Sequence, residues 1–280
     1  MDSARIHHIN CGCMCPLGGK LFDGNSSGLY AHLTCHCLLI ETDQGLVLID
    51  TGFGEKDIAH PRLRISPFFI HLNRIQFNKE NTAINQIKKL GFSPADVQHI
   101  ILTHLDFDHA GGIEDFPQAT IHVMQAEKEA TQNKKRFIDK KRYQNQQWDE
   151  VKNWQFYSEG GEQWYGFGGV SSLLGLSDLL YIPLAGHTLG HAGIAINTEK
   201  GWLLHAGDAY FYHQEIKNPT RHCPLGVRFY QWMMEVDRGL RLENQDKLRN
   251  LYLNNKSQLN IFCSHDASEL KNYQTNNKQL

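Results

Sequence analysis

Two features that would restrict the function are missing from this chain: a long apolar run and an excess of charge of one sign. No run of about 18 apolar residues occurs, and Met1 to His8 contain no apolar core of the length found in signal peptides. We therefore expect a cytoplasmic protein with no membrane partner. The formal net charge of −2 provides no basic surface for a phosphate backbone, so we expect no nucleic-acid partner.

The cysteines do not indicate a disulfide framework. The chain has seven cysteines, an odd number, and a reducing compartment would keep them as thiols. Cys11, Cys13 and Cys15 are separated by single residues, whereas a zinc knuckle has two residues between its cysteines. Cys35 and Cys37 lie in a predicted strand. We interpret all five as packed core residues.

Low-complexity segments and internal repeats are also missing, which argues against disordered and repeat architectures. Hydrophobic residues make up 41% and charged residues 21% of the 280 residues, an ordinary balance for a globular enzyme. We expect a single domain over residues 1–280. Apolar runs and alternation predict strands at 33–41, 46–50, 97–102, 119–124, 179–184, 193–197, 202–205 and 259–263, with helices at 81–90 and 244–253.

Residues 103–112, Thr-His-Leu-Asp-Phe-Asp-His-Ala-Gly-Gly, contain four metal-binding side chains within six residues. They follow an apolar run that we interpret as a buried strand. His104 and Asp106 are two apart on an extended backbone, so they point the same way and can bind one cation. Once the chain turns, Asp108 and His109 can reach a second cation. Imidazole and carboxylate suit zinc, iron or manganese.

Four side chains do not fill two coordination shells, so we expect further ligands from distant loops. His187, Asp208 and His265 each follow an apolar run that we interpret as a strand. Asp50 follows another such run and completes the series. Each of these polar residues is expected at the C-terminal end of its strand.

This ordered set of motifs resembles the metallo-β-lactamase fold superfamily, also called the metallo-hydrolase/oxidoreductase superfamily. The resemblance extends from Asp50 to His265 and is closest to the N-acyl homoserine lactonase-like branch. It implies an α/β fold, a four-layer αββα sandwich of two mixed β-sheets flanked by helices. It also implies two divalent metal ions. The implied ligands are His104, Asp106 and His187 for the first metal, Asp108, His109 and His265 for the second, and Asp208 between them, with Asp50 in support.

The resemblance implies a hydrolytic mechanism in which a hydroxide bridging the two metals attacks the substrate. Asp208 and Asp108 are the implied catalytic carboxylates. N-acyl homoserine lactonases use a tyrosine three residues after the bridging aspartate to polarise the substrate carbonyl. That position is Phe211 here, so the role passes to Tyr210 or Tyr212, or is absent.

Asp106 departs from the usual His-x-His-x-Asp-His motif, in which a second histidine is expected. A carboxylate is harder and more anionic than imidazole, so it shifts the preference toward iron or manganese. The flavodiiron oxidoreductases of the superfamily carry a glutamate at this position. Zinc remains the expected metal for this chain.

Residues 131–170 form a basic and aromatic segment between two motifs. An RNA-binding strip and a solvated amphipathic insertion are two interpretations. In the lactonases this segment covers the metal cleft, so we favour a lid, with glycines that give it mobility. Residues 53–77, an irregular stretch with Pro61 and Pro67, are interpreted as a flap or substrate wall.

These observations predict a dinuclear metal-dependent hydrolase that acts on a small-molecule lactone or other ester. A thioester hydrolase resembling glyoxalase II, an iron-dependent oxidoreductase of the same fold and a non-catalytic binding module are the alternatives. A homodimer is the candidate assembly. Extra polar residues near the motifs can fix ligands through hydrogen bonds or be simply packed: His191, His205, His213 and Glu215.

Overall fold

A computed structural model describes residues 5–276 of the chain. Within this range the strands are β1 (Ile6–Met14), β2 (Leu33–Thr42), β3 (Gly45–Ile49), β4 (Val97–Ile101), β5 (Thr120–Met124), β6 (Trp154–Tyr157), β7 (Glu162–Trp164), β8 (Phe167–Leu173), β9 (Leu176–Pro183), β10 (Ala192–Thr198), β11 (Gly201–His205) and β12 (Leu259–Phe262). The α-helices are α1 (Lys20–Asp23), α2 (Glu55–Ala59), α3 (Pro61–Arg64), α4 (Pro67–Leu72), α5 (Ala83–Lys89), α6 (Phe107–Ala110), α7 (Gln125–Gln132), α8 (Phe137–Arg142), α9 (Leu225–Met234), α10 (Arg238–Asn254) and α11 (Ala267–Asn276). Short 3₁₀ turns occupy Lys79–Asn81, Pro94–Asp96, Ile113–Asp115, Asn145–Gln147 and His213–Glu215.

The strands form two mixed sheets of six strands each. The first has the order β1-β2-β3-β4-β5-β6 and the second the order β12-β11-β10-β9-β8-β7. In the first sheet β3, β4, β5 and β6 run parallel, and in the second β11 and β12 run parallel. The predicted strands are present with shifts of at most three residues at their ends, whereas β1 and β6 to β8 had no individual assignment. The helix predicted at 244–253 begins earlier, at Arg238.

The core has three layers because alternate strand residues face opposite ways. Leu38 and Ile40 of β2 pack between the sheets against residues of the second sheet such as Ile194 and Phe262. Leu39, between them in sequence, faces a separate cluster that contains residues of α5. Residues of α10 pack on the outer face of the second sheet. The three apolar layers thus separate four layers of secondary structure, helix, sheet, sheet and helix, as predicted.

The interpretation of residues 53–77 as irregular is wrong. This segment forms α2, α3 and α4. Pro61 and Pro67 occupy the first positions of α3 and α4, where a proline loses no hydrogen bond and its fixed φ suits the helix. The prolines are therefore helix starts.

The predicted lid segment, residues 131–170, divides into parts. Its second half contributes strands: β6 pairs with β5 at the edge of the first sheet, and β7 and β8 extend the second sheet. Residues 133–148, which contain α8, lie outside both sheets. That residues 131–170 include a lid stays a prediction, and residues 133–148 are the part that could form it. No helix within residues 5–276 has both the length and the apolar character needed to cross a membrane.

Candidate metal centre

The predicted ligands converge because they follow strands that end at the same edge of the sandwich. Asp50 follows β3 and His104 follows β4 in the first sheet. His187 follows β9, Asp208 follows β11 and His265 follows β12 in the second. The two sheets thus contribute loops to one site.

Seven side chains form two adjoining groups, and within each group one nitrogen or oxygen atom per residue lies within 4.8 Å of the others. All seven residues are buried. The first group is His104, Asp106, His187 and Asp208. The second group is Asp108, His109 and His265.

Asp208 lies between the two groups. Its Oδ2 is 3.4 Å from His187 Nε2 and 3.8 Å from His104 Nε2, both in the first group. Its Oδ1 is 3.3 Å from His109 Nε2 and 3.1 Å from His265 Nε2, both in the second group. Asp208 Oδ2 also lies 3.2 Å from His265 Nε2. The carboxylate therefore contacts both groups, as a residue shared by two cations must.

Asp50 orients His109 directly and His104 through Thr103. Its Oδ2 lies 2.8 Å from His109 Nδ1 and accepts a hydrogen bond from Thr103 Oγ1 at 2.8 Å. Thr103 Oγ1 in turn lies 2.9 Å from His104 Nδ1. Since the Nδ1 atoms are engaged there, the Nε2 atoms of both rings face the carboxylates and can bind a cation. Asp50 itself has a φ of 53°, a left-handed conformation that few non-glycine residues adopt.

The donor set fits metal ions. His104 Nε2 and Asp208 Oδ1 are buried, and within residues 5–276 their neighbouring nitrogen and oxygen atoms, although close, do not have hydrogen-bond geometry. Buried polar atoms almost always have a hydrogen-bond partner. Two buried atoms of this centre without one therefore indicate that a bound ion or molecule belongs there. Nitrogen and carboxylate oxygen are the donors that divalent zinc, iron and manganese accept.

The centre contains three buried carboxylates, whose negative charges repel one another unless cations are bound. Burial raises the pKa of Asp108, and the neighbouring carboxylates of Asp208 and Asp106 add to this effect. Burial also opposes ionisation of Asp208, but His265 and His109 outweigh it and hold the pKa of Asp208 well below its usual range. Bound cations would favour the ionised form of all three.

Arg142 is a residue of the centre that sequence reasoning missed. Its Nε lies 2.8 Å from Asp106 Oδ1, and both side chains are almost completely buried, at 0% and 2% exposure. Its Nη2 lies 3.1 Å from His187 Nε2. Burial opposes ionisation of Asp106, but the charge of Arg142 outweighs it and holds the pKa of Asp106 well below its usual range. Arg142 ends a run of three basic residues, a pattern typical of a solvated face, so the sequence contains no signal for this contact.

Glu127 of α7, which the sequence did not indicate either, connects two of the loops that carry ligands. Its Oε1 accepts a hydrogen bond from the Leu105 amide at 3.0 Å. Its Oε2 accepts from Thr188 Oγ1 at 2.6 Å and from the Gly190 amide at 3.1 Å. One buried carboxylate thus holds the loop after β4 against the loop after β9.

Among the extra polar residues, His191 and Glu215 fix the chain around Asp208. His191 Nε2 accepts a hydrogen bond from the Asp208 amide at 2.9 Å. Glu215 Oε2 accepts from the amides of Phe211 and Tyr212 at 3.1 and 3.3 Å. These contacts set the path of the loop that carries Asp208. His205 also contacts this loop, because its Nδ1 accepts a hydrogen bond from the Gly207 amide at 3.2 Å while its Nε2 contacts the His36 carbonyl. His213 contacts Asp266 instead.

Two glycines permit the ligand loops to approach closely. Gly186, before His187, has a φ of 136°, and a Cβ there would lie 2.4 Å from the amide nitrogen of Arg241. Gly207, before Asp208, has a φ of 53°, and a Cβ would lie 2.6 Å from His191 Nε2. Any side chain at either position would displace a ligand loop.

The structure places Tyr210 and Tyr212 in different surroundings. Tyr210 lies in the outer core of the second sheet, and its hydroxyl donates to Glu269 at 3.1 Å, a position that gives no support to its predicted catalytic role. Tyr212 lies in an apolar cluster with Phe211 and Tyr230, and its catalytic role stays a prediction. The Phe211 ring lies 4.8 Å from the His265 ring, centroid to centroid.

Tyr230 of α9 interacts with the charges of the centre. Burial raises the pKa of Tyr230, and the carboxylates of Asp108, Asp106 and Asp208 contribute, so its hydroxyl lies within electrostatic range of them. Asn73 Nδ2 donates to this hydroxyl oxygen at 3.0 Å, which leaves the phenolic proton free for another acceptor. Tyr230 lies in a helix far along the chain from every motif, so no spacing indicates it.

Some aromatic residues of the predicted lid segment lie away from the metal centre. Trp148 and Trp154 line a groove of about 560 Å³ together with Lys128 and Lys134. None of the seven ligands lines this groove. The groove is therefore separate from the metal centre.

Comparisons with known proteins agree with this geometry. The model of the Metallo-beta-lactamase superfamily matches residues 31–251, and the chain belongs to this superfamily. It is 37% identical over 263 residues to a probable metallo-hydrolase of Mycobacterium tuberculosis, covering 94% of this chain and 80% of that protein. It is 31% identical over 210 residues to an N-acyl homoserine lactonase of a Bacillus species, covering 72% of this chain and 77% of that protein.

A solved structure of an N-acyl homoserine lactone hydrolase, with the product N-hexanoyl-L-homoserine bound at its catalytic metal centre, has a TM-score of 0.71 to this chain. The two chains are 25% identical, and the match covers 97% of each. These matches confirm the predicted superfamily, fold and class of enzyme, a metal-dependent hydrolase. The individual ligand roles, the metal identity and the substrate stay predictions.

Proposed function

We propose that the chain is a dinuclear metal-dependent hydrolase that opens a lactone or cleaves a related ester. The observation that carries the proposal is Asp208, whose carboxylate contacts both groups of buried ligands. His104, Asp106 and His187 would hold one ion, and Asp108, His109 and His265 the other. Two such ions, when bound, supply an activated water and stabilise negative charge on the substrate oxygen.

The residues around the centre support this chemistry by fixing the ligands before substrate binds. Asp50 holds His109 and Thr103, and Glu127 ties the loops of the first group together. Preorganised ligands require little rearrangement during the reaction, which is where electrostatic catalysis gains its effect. Asp208 and Asp108 are the carboxylates placed to accept a proton or steer the leaving group.

We assign the role of the missing lactonase tyrosine to Tyr230. Phe211 stands at the usual position and has no hydroxyl, whereas Tyr230 belongs to the same apolar cluster and keeps a free phenolic proton. A phenol hydroxyl that donates to the substrate carbonyl oxygen stabilises the negative charge that develops there. Tyr230 would do so from α9.

The apolar cluster beside the centre favours a substrate with a hydrocarbon portion. Phe69 and Ile70 of α4 and Val227 and Met234 of α9 pack in this cluster with Phe211. Such a wall is suited to an acyl chain, whose burial contributes about 0.8 kcal/mol per methylene group. The relatives named for N-acyl homoserine lactones are consistent with a substrate of this kind.

The Asp106–Arg142 pair favours zinc over iron. Together the two side chains carry no net charge, like the neutral imidazole that most hydrolases of the superfamily have at this position. The guanidinium withdraws negative charge from the carboxylate, so the bound ion would remain a good Lewis acid. Arg142 therefore offsets the preference for iron that Asp106 alone would give.

A substrate panel tests the proposal. Metal-loaded protein would be assayed for ring opening of N-acyl homoserine lactones and for hydrolysis of a linear ester, a thioester and a phosphodiester, with Asp208→Ala as the matched inactive control. We expect the highest kcat/KM on a lactone. A higher value on the thioester would favour the glyoxalase II-like alternative, and turnover of none of the four would overturn the proposal. Cytoplasmic location and a homodimer remain predictions.

A further inference from the structure

A second cluster of metal-binding side chains lies apart from the seven ligands, at the end of β1. Cys13 Sγ is 3.4 Å from Cys15 Sγ and 3.1 Å from His32 Nδ1. One atom from each of the three residues lies within 4.8 Å of the others. Two sulfurs and an imidazole nitrogen thus face a common point.

The strand geometry explains why these two cysteines meet and Cys11 does not join them. The register of β1 against β2 shifts between Asn10 and Cys13. Cys11 lies on the helix-facing side of the first sheet, in its apolar core. After the shift, Cys13 and Cys15 are two apart on an extended backbone and point the same way. The interpretation of all five cysteines as packing residues therefore fails to account for Cys13 and Cys15.

The loop that carries His32 is built around a buried carboxylate. Asp23 is 6% exposed, and its oxygens accept hydrogen bonds from the amides of Asn25, Ser26 and His32, each at 2.8 Å. The Ala31 amide donates to the Pro16 carbonyl at 2.8 Å, which fixes the loop against the chain that follows Cys15. The position of His32 beside the thiols is therefore set by the fold rather than by chance contact of a free loop.

We propose that Cys13, Cys15 and His32 bind one additional thiophilic cation, Zn²⁺ or Cu⁺, separate from the catalytic ions. Thiolate sulfur and imidazole nitrogen select these ions over hard cations such as Mg²⁺ or Ca²⁺. Cys15 is half-buried and His32 is exposed, so a fourth position on the ion would face solvent.

The cation would link β1 to the loop before β2. Met14 and Leu33, the neighbours of these ligands in sequence, belong to the apolar cluster beside the catalytic centre. Binding would therefore fix one wall of that cluster, and its role would be structural.

Cobalt substitution tests the proposal, because thiolate-to-cobalt charge transfer absorbs in the near ultraviolet and the seven catalytic ligands include no sulfur. Metal-free protein would be titrated with Co²⁺ in the presence of a phosphine reductant. Cys15→Ser and His32→Ala change half-buried and exposed positions, so both variants are expected to fold. Cys223→Ser, which removes a thiol elsewhere, is the matched control.

We expect the charge-transfer band in the wild type and in Cys223→Ser, its loss in Cys15→Ser, and weaker cobalt binding in His32→Ala. Elemental analysis should find one ion fewer per chain in Cys15→Ser than in the wild type, whatever the catalytic centre holds. Absence of the band in the wild type, or its persistence in Cys15→Ser, would overturn the proposal. A Cys13–Cys15 disulfide in protein prepared with reductant would overturn it as well.

Discussion

Removing the charge of Arg142 while keeping a side chain of similar length, as in Arg142→Met, isolates the contribution of its ion pair. The guanidinium lies 2.8 Å from Asp106 Oδ1, and neither side chain is more than 2% exposed. Removing one partner of a buried pair leaves an uncompensated charge and costs about 3–5 kcal/mol. For a chain of this size that cost corresponds to a fall in Tm of about 6–20 °C.

The effect should depend on the metal state. In chelated protein Arg142 is the guanidinium that contacts Asp106, so its loss removes that positive charge from a carboxylate that lies near Asp108 and Asp208. With metal bound, the ion itself compensates Asp106, and the loss in stability should be smaller. Denaturation in urea with chelator and with saturating Zn²⁺ would measure both values.

A double-mutant cycle with Asp106→Asn separates the pair from other effects of Arg142. Replacing both charged groups leaves no unpaired charge, so Asp106→Asn/Arg142→Met should recover part of the lost stability, with a coupling energy of about 2–3 kcal/mol. Lys247→Met, which breaks an exposed pair with Glu243, is the control and should change Tm little. The reasoning is refuted if Arg142→Met resembles this control in chelated protein, or if the two losses simply add.

Three further predictions follow from the same geometry. Asp208→Ala should reduce kcat more than about tenfold, a barrier change above roughly 1.4 kcal/mol, with an unchanged circular dichroism spectrum; a smaller loss would show that Asp208 is not shared by the ions. Tyr230→Phe should reduce kcat on a lactone by about 10²-fold with little change in KM, and kinetics equal to wild type would remove Tyr230 from the reaction. Burial raises the pKa of Asp115 to about 7, so its stabilising contribution is complete below about pH 4 and lost as pH rises through about 7. Asp115→Asn should therefore flatten the fall in the free energy of unfolding between about pH 4 and pH 7, and an unchanged slope in urea titrations would contradict this.

The sequence predicted the strands and the polar residues that directly follow them. Apolar runs indicate the strands, and the predicted ligands stand where those strands end. The sandwich and the grouping of His104 with His187 and Asp208 were implied by the resemblance to the superfamily. The helices of residues 53–77 could also have been predicted, because Pro61 and Pro67 signal helix starts as well as loops.

The residues that were missed act through tertiary contacts alone. Arg142 stands in a basic run that resembles a solvated face, and only the packing of α8 against the centre brings it to Asp106. Glu127 and Tyr230 are likewise ordinary helix residues until the chain folds. Spacing predicts side chains that share a strand or a helix face, whereas it contains no information about a contact between distant helices and loops.

The central claim, that seven side chains hold two ions with Asp208 between them, is tested most directly by anomalous X-ray diffraction from metal-loaded crystals. Data on both sides of the zinc, iron and manganese absorption edges would locate and identify each ion. We predict two peaks at this centre about 3.5–4 Å apart, one beside His104, Asp106 and His187 and the other beside Asp108, His109 and His265. A single peak, or none in contact with Asp208, would contradict the account.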